Sequence, residues 1–391
     1  MSTLRVESVK IKNIIPHFNA DRLEIVELEG NDWHIVVQKD IWKVGDIGIL
    51  FPVDSVLPSR LESFLFSPDS KIKLDKSRIR AVKIRGYIST GMLVPVSEIQ
   101  LYINTFLDVL PNTLLATSTI KRIKNGEIGQ DIAEALEVTK YEPPTPSFQS
   151  NLGRVDRKKG NDNPAFHKYT DIENIKYYPT LFNDEEVVVI TEKIHGTSFR
   201  AGYVKKEKLS MWDRIKLLFS CNPYIEYEFI YGSRNVQIPK RKDYVGFYDE
   251  NVYYKIVKKY NLEEILHPGQ VVYGEIYGDG IQKGYTYGLK NGEVDFVAYD
   301  IQQDGKYLDY YDFEKVAHNL SLPTVPELSI GYYDLDDIKR LSEGPSILSP
   351  SQPIREGVVV KPIKERLGPT GRAILKSLNP EYLVLKNSDF H

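Results

Sequence analysis

The sequence has few of the residues that build covalent or metal-bound cross-links. Its single cysteine, Cys221, cannot form a disulfide within the chain, and its seven histidines are scattered, with no Cys/His cluster at zinc-ligand spacing. No run approaches the ~20 apolar residues of a membrane-spanning helix, and the N-terminus, MSTLRVESVKIKN, has no apolar stretch typical of a secretion signal. We therefore expect a cytoplasmic protein in a reducing environment, without a membrane partner.

The chain also has little net charge. Its 51 Lys and Arg residues nearly balance its 54 Asp and Glu residues, which gives a net charge of −3. Any polyanion must therefore be bound by local basic patches and not by an overall positive field. With 391 residues, 41% of them hydrophobic, the chain can bury substantial cores, and its length fits two domains better than one.

The first part of the chain has the pattern of a small β-barrel. Between Leu4 and Glu98, short strand-like segments are separated by Gly, Pro, Asn and Asp at even spacing. In GQDIAEALEVTKY, residues 129 to 141, apolar side chains recur at helical spacing, which predicts a short helix closing this part. We expect one domain over residues 1 to 140 and a proline-rich linker over residues 141 to 164.

The remainder, residues 165 to 391, alternates strand patterns with helical ones. Strands are predicted at segments such as EVVVITEKI, SFRAGYV, QVVYGEIYG, EVDFVAYDI, GVVVKPI and YLVLKN, and helices over residues 249 to 260, 311 to 319 and 334 to 342. This mixture indicates an α+β domain. The glycine-rich segment YGDGIQKGYTYGLKNG has neither a P-loop nor a dinucleotide-binding pattern, so we interpret it as a loop that follows the strand QVVYGEIYG.

Several charged side chains lie inside otherwise apolar strands. They are Lys193 in EKIHG, Glu275 in YGEIYG, Asp300 in FVAYDI, and Glu356 and Lys361 in EGVVVKP. Since burying an isolated charge is costly, a recurring set indicates that these side chains face a common polar ligand or a metal ion. For any one of them alone, a strand end open to solvent is the simpler explanation.

Taken in order, these segments resemble the covalent nucleotidyltransferase superfamily, which comprises ATP-dependent DNA and RNA ligases and mRNA capping enzymes. The resemblance covers residues 165 to 391: EKIHG resembles motif I, GSRN motif Ia, YGEIYG motif III, FVAYDI motif IIIa, EGVVVKP motif IV and LKSLNPEYLVLKN motif V. The commonest first motif of the superfamily has Asp in the third position, whereas His195 is typical of the RNA ligase 2 branch. The resemblance therefore points toward RNA ends.

The N-terminal part has a resemblance of its own. HFNADRLEIVELEG, WKVGDIGILFPVDSVLP and IRAVKIRGYISTGML are similar to the OB-fold of tRNA-binding modules. An OB domain ahead of a ligase core resembles the RNA ligase 5 family, whereas capping enzymes and most DNA ligases have it after the core. The implied fold is an N-terminal OB-fold β-barrel followed by an ATP-grasp-like nucleotidyltransferase domain of antiparallel sheets with flanking helices, in the α+β class.

The resemblance implies a lysine nucleophile that is adenylylated by ATP. Lys193 takes this role, and the lysyl-AMP bond stores the energy for later transfer. Lys361 and a motif V lysine surround the phosphates, and for the latter Lys376 and Lys386 remain alternatives because motif V is incomplete.

The resemblance also implies ligands for a divalent metal ion and a ring for adenine. Glu356 and Glu275 are the expected ligands of Mg²⁺ or Mn²⁺, with Asp300 as a weaker third. Tyr299 is expected to stack on adenine, with Phe296 as the alternative ring, although on the sequence alone Tyr299 is better explained as a core residue.

Further contacts are expected on either side of the nucleophile and on the RNA. Glu192 and Ile194 flank Lys193 and are assigned to the nucleotide site, and Arg234 to the ribose or the nucleic-acid end. His195 lies on the same strand face as Lys193, which suggests contact with a phosphate or the RNA 5′ end, and a structural hydrogen bond is the alternative. Basic clusters that suit RNA, or a solvated surface, are residues 154 to 159, Lys205, Lys206 and Lys208, residues 240 to 242, and Arg78, Arg80, Lys83 and Arg85.

The expected function is that of a monomeric ATP-dependent RNA ligase. It would join 3′-OH and 5′-phosphate ends of RNA, in a nicked duplex, at free ends or in an RNA/DNA hybrid, and so serve RNA repair. The alternatives are a DNA ligase or another lysine nucleotidyltransferase, and an RNA-binding protein whose ligase core is inactive.

Overall fold

A computed structural model describes residues 4–31, 33–66, 74–141, 163–206, 226–238 and 251–385. The chain forms two compact units, the first made of Met1–Pro144, Glu173–Thr180 and Pro380–His391 and the second of Thr145–Ile172 and Leu181–Asn379. Most of the predicted linker lies outside the described residues. So do Cys221, Lys208, Lys386 and the basic clusters at 154 to 159 and 240 to 242.

The first unit contains a nearly closed antiparallel barrel. The strands of this unit are β1 (Glu7–Pro16), β2 (Leu23–Leu28), β3 (His34–Gln38), β4 (Ile47–Pro52), β5 (Ser55–Val56), β6 (Val82–Ile84), β7 (Tyr87–Ser89), β8 (Gly91–Pro95), β9 (Thr139–Lys140) and β10 (Glu173–Asn174). The barrel sheet has the order β3-β2-β1-β4-β8, and the Thr90 N–H donates to the His34 carbonyl (3.3 Å) between its two edges. The predicted OB-like barrel is confirmed.

The long strand β1 takes part in both halves of the barrel. Its first residues pair with β4 and its residues from Ile11 onward with β2, and a bulge between Ile11 and Asn13 lies within the pairing with β2. A bulge bends a strand and increases its twist, which lets β1 curve around the barrel core. That core includes Val9, Ile11 and Val26, all buried.

The helices of the described residues flank the sheets. They are α1 (Ser59–Leu65), α2 (Val96–Thr105), α3 (Thr113–Lys124), α4 (Val252–Lys259), α5 (Leu262–Ile265), α6 (Tyr310–Asn319), α7 (Leu335–Ser342) and α8 (Pro380–Leu383). In the part of the chain described, none of them combines the length and hydrophobicity needed to cross a bilayer.

Two of the secondary-structure predictions are wrong. Residues 133 to 137 form turns instead of a helix, because Glu137 adopts a left-handed conformation (φ 58°) and ends the helical run. The segment YLVLKN is not a strand, since Tyr382 and Leu383 complete helix α8, which follows Asn379 and begins with Pro380, a residue suited to the first helical turn.

The second unit contains two antiparallel sheets. Its strands are β11 (Val187–Lys193), β12 (Thr197–Lys205), β13 (Tyr227–Ser233), β14 (Gln237–Ile238), β15 (Gln270–Gly278), β16 (Val294–Gln303), β17 (Lys306–Tyr307), β18 (Glu327–Tyr332), β19 (Gly357–Pro362), β20 (Leu367–Gly368), β21 (Gly371–Arg372) and β22 (Leu375–Leu378). One sheet contains β22-β19-β11-β18 and the other has the order β14-β13-β12-β15-β16-β17. Helices α4 and α6 pack against the second sheet around buried Phe199, Ile256 and Phe313. The predicted α+β class is confirmed.

The strand register brings the charged motifs to one place. Lys193, the last residue of β11, pairs with Gly357, the first residue of β19, so Glu356 lies beside Lys193. Strand β12 follows directly after the β11 turn, and its Ser198 pairs with Glu275 of β15. Side chains from both sheets therefore meet where β11 ends.

Candidate active site

An ion pair between Lys193 and Glu356 forms the centre of the site. The Lys193 Nζ donates to Glu356 Oε1 at 2.5 Å. Glu356 is only 1% exposed, whereas 24% of the Lys193 side chain is exposed. A buried carboxylate needs a cation partner, and here that partner is the amine of a side chain that remains partly exposed. The amine is therefore held in place and accessible to a ligand.

Glu275 adds a second carboxylate to this centre. Burial raises its pKa to about 8, and the charge of Glu356 acts in the same direction, against the lowering effects of Lys193 and of the Gly196 N–H. Near neutral pH, Glu275 thus holds a proton that a bound cation would displace. Gly196 is required here, because a Cβ would lie 2.2 Å from the Ile276 carbonyl oxygen.

The turn after Lys193 is held by the glycine-rich segment that was predicted to be a loop. The His195 N–H donates to the Tyr287 hydroxyl (2.8 Å), and the Gln282 side-chain amide donates to the Gly196 carbonyl (2.8 Å). The buried His195 ring lies with Nδ1 3.5 Å from Glu356 Oε2. The segment is a loop, as predicted, and it also fixes the backbone that carries the nucleophile candidate.

Glu192, the residue before Lys193, has a buried oxygen that no described residue uses. Its Oε2 accepts hydrogen bonds from the backbone N–H groups of Ile347 (2.7 Å) and Leu348 (3.1 Å). Its Oε1 has no hydrogen-bond partner among the described residues, although Glu192 is 1% exposed. Buried acceptors are almost always satisfied, so this oxygen fits a ligand that donates an N–H. Ile194, on the other side of Lys193, is buried as well.

Arg234 and Tyr299 both lie close enough to Glu275 for mutual electrostatic effects. Arg234 lowers the pKa of Glu275 and forms an ion pair with Asp171. Burial raises the pKa of Tyr299, and the charge of Glu275 raises it further. The Tyr299 hydroxyl is 3.4 Å from the Ser198 hydroxyl, on the strand that pairs with Glu275. Their predicted roles as nucleotide contacts remain predictions.

Asp300 and Lys361 lie in a separate buried network, and their predicted roles are wrong. Asp300 Oδ1 accepts from Lys361 Nζ (2.7 Å), and Oδ2 accepts from Arg372 (2.7 Å) and from the Tyr169 hydroxyl (2.5 Å). Burial alone would raise the pKa of Asp300, but Arg372 and Lys361 hold it at about 2. With both oxygens engaged and no exposed surface, Asp300 is not available as a metal ligand.

The register of β19 keeps Lys361 away from Lys193. Lys361 pairs with Val189, four residues along the strand from the Lys193–Gly357 pair. At ~3.4 Å per residue this separates the two lysines by about 14 Å along the sheet. Lys376, on β22, pairs instead with Val359 and is half-buried. Of the two motif V alternatives, it is the one within the described residues.

The prediction that Phe296 is the alternative ring for adenine is also wrong. It is fully buried, packs edge-on against Phe199 (5.2 Å between ring centroids) and lies against Gly274, where a Cβ would be 2.2 Å from its ring. No face of this ring is open to a nucleotide.

The four basic residues expected to bind RNA in the first unit differ in exposure. Arg78 is 4% exposed, pairs with Asp54 (2.5 Å) and lies over the Tyr141 ring, so its predicted RNA contact is wrong. Arg80 is half-buried, whereas Lys83 and Arg85 are exposed on the β6–β7 hairpin. Only the hairpin pair is thus accessible to a polyanion.

Metal binding would rest on Glu275 and Glu356. Among the described residues, no group of three or more His, Cys, Asp or Glu side chains is arranged to hold a metal ion. Two hard oxygen donors suit Mg²⁺ or Mn²⁺, which usually keep several water or phosphate ligands. The site thus fits a metal that arrives with a phosphate ligand.

The chain matches known families over both of its parts. The model of the RNA ligase family matches residues 186–378, and that of an OB-fold domain matches residues 5–96. None of the curated proteins compared with the chain matches it.

Solved structures of similar fold include several of Naegleria gruberi RNA ligase. The structure with PPi has a TM-score of 0.66 at 21% identity and covers 97% of this chain and 98% of that one. A mutant with ATP and Mn has a TM-score of 0.67 at 22% identity and covers 99% and 100%. A mutant with AMP and Mn has a TM-score of 0.66 at 21% identity and covers 97% of each chain. At this identity the likeness shows a shared fold.

Proposed function

We propose that the chain, whose residues 186–378 match the RNA ligase family, is an ATP-dependent RNA ligase that works through lysyl-AMP and seals nicks in duplex RNA. The observation that carries the proposal is the contact of the accessible Lys193 Nζ with buried Glu356, beside Glu275. The solved Naegleria gruberi enzymes of the same fold contain ATP, AMP, PPi or Mn, and ATP with a divalent metal suits this site as well.

The first step is adenylylation of Lys193. The amine gives up a proton and its lone pair attacks the α-phosphorus of ATP; the new N–P bond replaces the bond to the bridging oxygen, and pyrophosphate leaves. Such transfers depend mainly on positioning and on neutralising the phosphate charge. Glu356 orients the amine at 2.5 Å, and Lys376 is the candidate cation for the phosphates.

Adenine recognition falls to Glu192 and Tyr299. The unused Glu192 Oε1 would accept a hydrogen bond from the adenine amino group. Tyr299 would stack on the base, and Arg234 would reach the ribose hydroxyls. This arrangement favours ATP over GTP, because guanine presents a carbonyl where adenine presents the amino group and would face a carboxylate acceptor.

A divalent metal would be held by Glu275 and Glu356. When bound, Mg²⁺ or Mn²⁺ neutralises charge on the phosphates and on the leaving pyrophosphate. The raised pKa of Glu275 fits this role, because a cation takes the place of the proton that burial otherwise retains.

The two later steps join the strands. AMP passes from Lys193 to the 5′-phosphate of RNA, and a 3′-hydroxyl then attacks that phosphate and releases AMP. His195, held between Glu356 and Tyr287, is the candidate contact for the 5′ end. We propose that the enzyme acts as a monomer in the cytoplasm and requires ribose on the 3′-OH side of the nick.

The substrate preference is tested with matched nicked duplexes. The terminal 3′-OH nucleotide is either ribose or deoxyribose, and all other positions are kept the same. We expect efficient sealing only of the ribose nick, and none by Lys193→Ala. Equal sealing of both nicks would instead indicate a DNA ligase. RNA binding without any sealing would indicate an inactive RNA-binding protein.

A further inference from the structure

Two turns of the first-unit barrel are joined into one surface, which we call the barrel tip: residues 17–19 after β1, and Arg85 and Gly86 between β6 and β7. A His17 ring nitrogen hydrogen-bonds the Ile84 carbonyl (3.1 Å), and the Asn19 side-chain amide donates to the Arg85 carbonyl (3.4 Å). Phe18 lies over Gly86, where a Cβ would be 3.0 Å from the Phe18 ring. The two turns therefore form one connected surface.

Phe18 is unusually exposed for a phenylalanine. It is 69% exposed, and its ring is stacked on the His17 ring, with 4.9 Å between centroids and 18° between planes. His17 is 6% exposed and cannot easily rotate, because its Nδ1 accepts from the Asn19 N–H (3.1 Å), so that Nε2 carries the proton donated to Ile84. A fixed histidine thus supports one side of Phe18 and leaves most of its ring to solvent.

The surroundings of Phe18 distinguish a nucleotide from an apolar partner. The adjoining residues Asn19, Arg85 and Gly86 are exposed and are either polar or lack a side chain. Lys83 is exposed on the same hairpin and forms an ion pair with Glu381 (2.9 Å), whereas Arg85 has no ion pair among the described residues. Within the barrel tip Phe18 is the only apolar side chain, whereas an apolar protein partner would need several apolar contacts.

An aromatic ring beside a cation is the combination that binds single-stranded nucleic acid. We propose that the barrel tip binds an unpaired nucleotide of the RNA, whose base stacks on Phe18 while Arg85 contacts the adjacent phosphate. The site rests on the proposed function only in taking RNA as the ligand. An RNA nucleotide that is unpaired, such as one in a single strand flanking the duplex, would thus bind to the OB domain.

RNA affinity measured by fluorescence anisotropy tests the site, with the full chain and a labelled single-stranded oligoribonucleotide at several salt concentrations. Phe18→Ala should weaken binding by about fivefold or more, since stacking on one aromatic ring has that effect. Its salt dependence should stay unchanged, whereas Arg85→Gln should reduce the salt slope by about 0.7. Leu114→Ala, which alters an 87% exposed side chain in the same unit, should bind like the unmodified chain.

A tryptophan in place of Phe18 gives a second, direct measurement. Phe18→Trp should retain RNA affinity, and RNA should quench its added fluorescence above that of the three native tryptophans. Unchanged affinity in Phe18→Ala, together with no added quenching in Phe18→Trp, would overturn the proposal. So would an effect of Phe18→Ala on self-association alone, measured by sedimentation, which would make the tip an interface between copies.

Failure of this site is distinguishable from failure of the ligase assignment. Adenylylation of the unmodified chain by labelled ATP requires no RNA, so its absence would refute the ligase function whatever Phe18 does. Conversely, an adduct on the unmodified chain with RNA affinity insensitive to Phe18→Ala would refute the stacking site alone.

Discussion

Removal of the Tyr287 hydroxyl tests how the nucleophile is positioned. In Tyr287→Phe the ring and backbone stay the same, but the buried His195 N–H loses the acceptor at 2.8 Å. An unsatisfied buried backbone group costs about 1–3 kcal/mol. If the turn relaxes to satisfy that group, Lys193 moves with it, and the rate of adenylylation should fall by about fivefold to a hundredfold.

The assay is single-turnover formation of the labelled adduct at saturating ATP, with thermal unfolding measured in parallel. Tyr310→Phe is the matched control, because it removes a tyrosine hydroxyl that donates to Glu327 (2.6 Å), a residue of β18 and not of the turn that follows Lys193. We expect both variants to lose stability and only Tyr287→Phe to lose rate. Equal rates in the two variants would refute a positioning role for Tyr287.

Three further predictions concern the choice of nucleotide, the affinity for the metal ion and the stability of the buried Asp300 network. Glu192→Gln should weaken the selection of ATP over GTP in adduct formation, because the new side-chain amide can also donate a hydrogen bond to the guanine carbonyl. Unchanged selectivity would exclude Glu192 from adenine recognition. Apparent Mn²⁺ affinity should rise with pH by about tenfold per unit up to about pH 8 and then level, as a cation displaces the Glu275 proton, and Glu275→Gln should remove this dependence in calorimetric titrations. Asp300→Asn should lower thermal stability markedly, because Lys361 and Arg372 lose their buried counter-charge, and full stability would contradict the network.

The elements with strong alternation could be predicted from the sequence. Strands β11, β15, β16 and β19 lie where the apolar pattern indicated, and the motif residues Lys193, Glu275 and Glu356 converge. The apolar pattern of these strands is local, and burial on both faces of the sheets favours the same residues. Strand propensity and tertiary structure therefore agree.

The residues whose roles were mispredicted make contacts with residues that are far away in the sequence. Lys361 matched a phosphate-binding lysine by motif, but its partner Asp300 lies 61 residues away and Arg372 72 residues from Asp300. Gln282 and Tyr287 contact the nucleophile turn across 86 and 92 residues. Sequence spacing carries no information on such contacts, which depend on how the sheets and loops pack.

Helices at the ends of domains were the least predictable elements. Helices α2 and α3 follow the barrel strands, and their buried positions, such as Ile99, Tyr102 and Ile120, pack in a core that includes barrel residues. Packing of this kind stabilises short helices whose intrinsic preference is weak. In residues 133 to 137 the helical spacing of apolar side chains serves the same core from a series of turns instead.

The bond between AMP and the Lys193 Nζ is the most direct test of the whole account. The full chain is incubated with ATP and Mg²⁺ or Mn²⁺ without RNA, digested under non-acidic conditions, and its peptides are sequenced by mass spectrometry. We predict AMP on the peptide containing Lys193 and on no other. AMP located on another lysine, or no adduct with either metal, would contradict it.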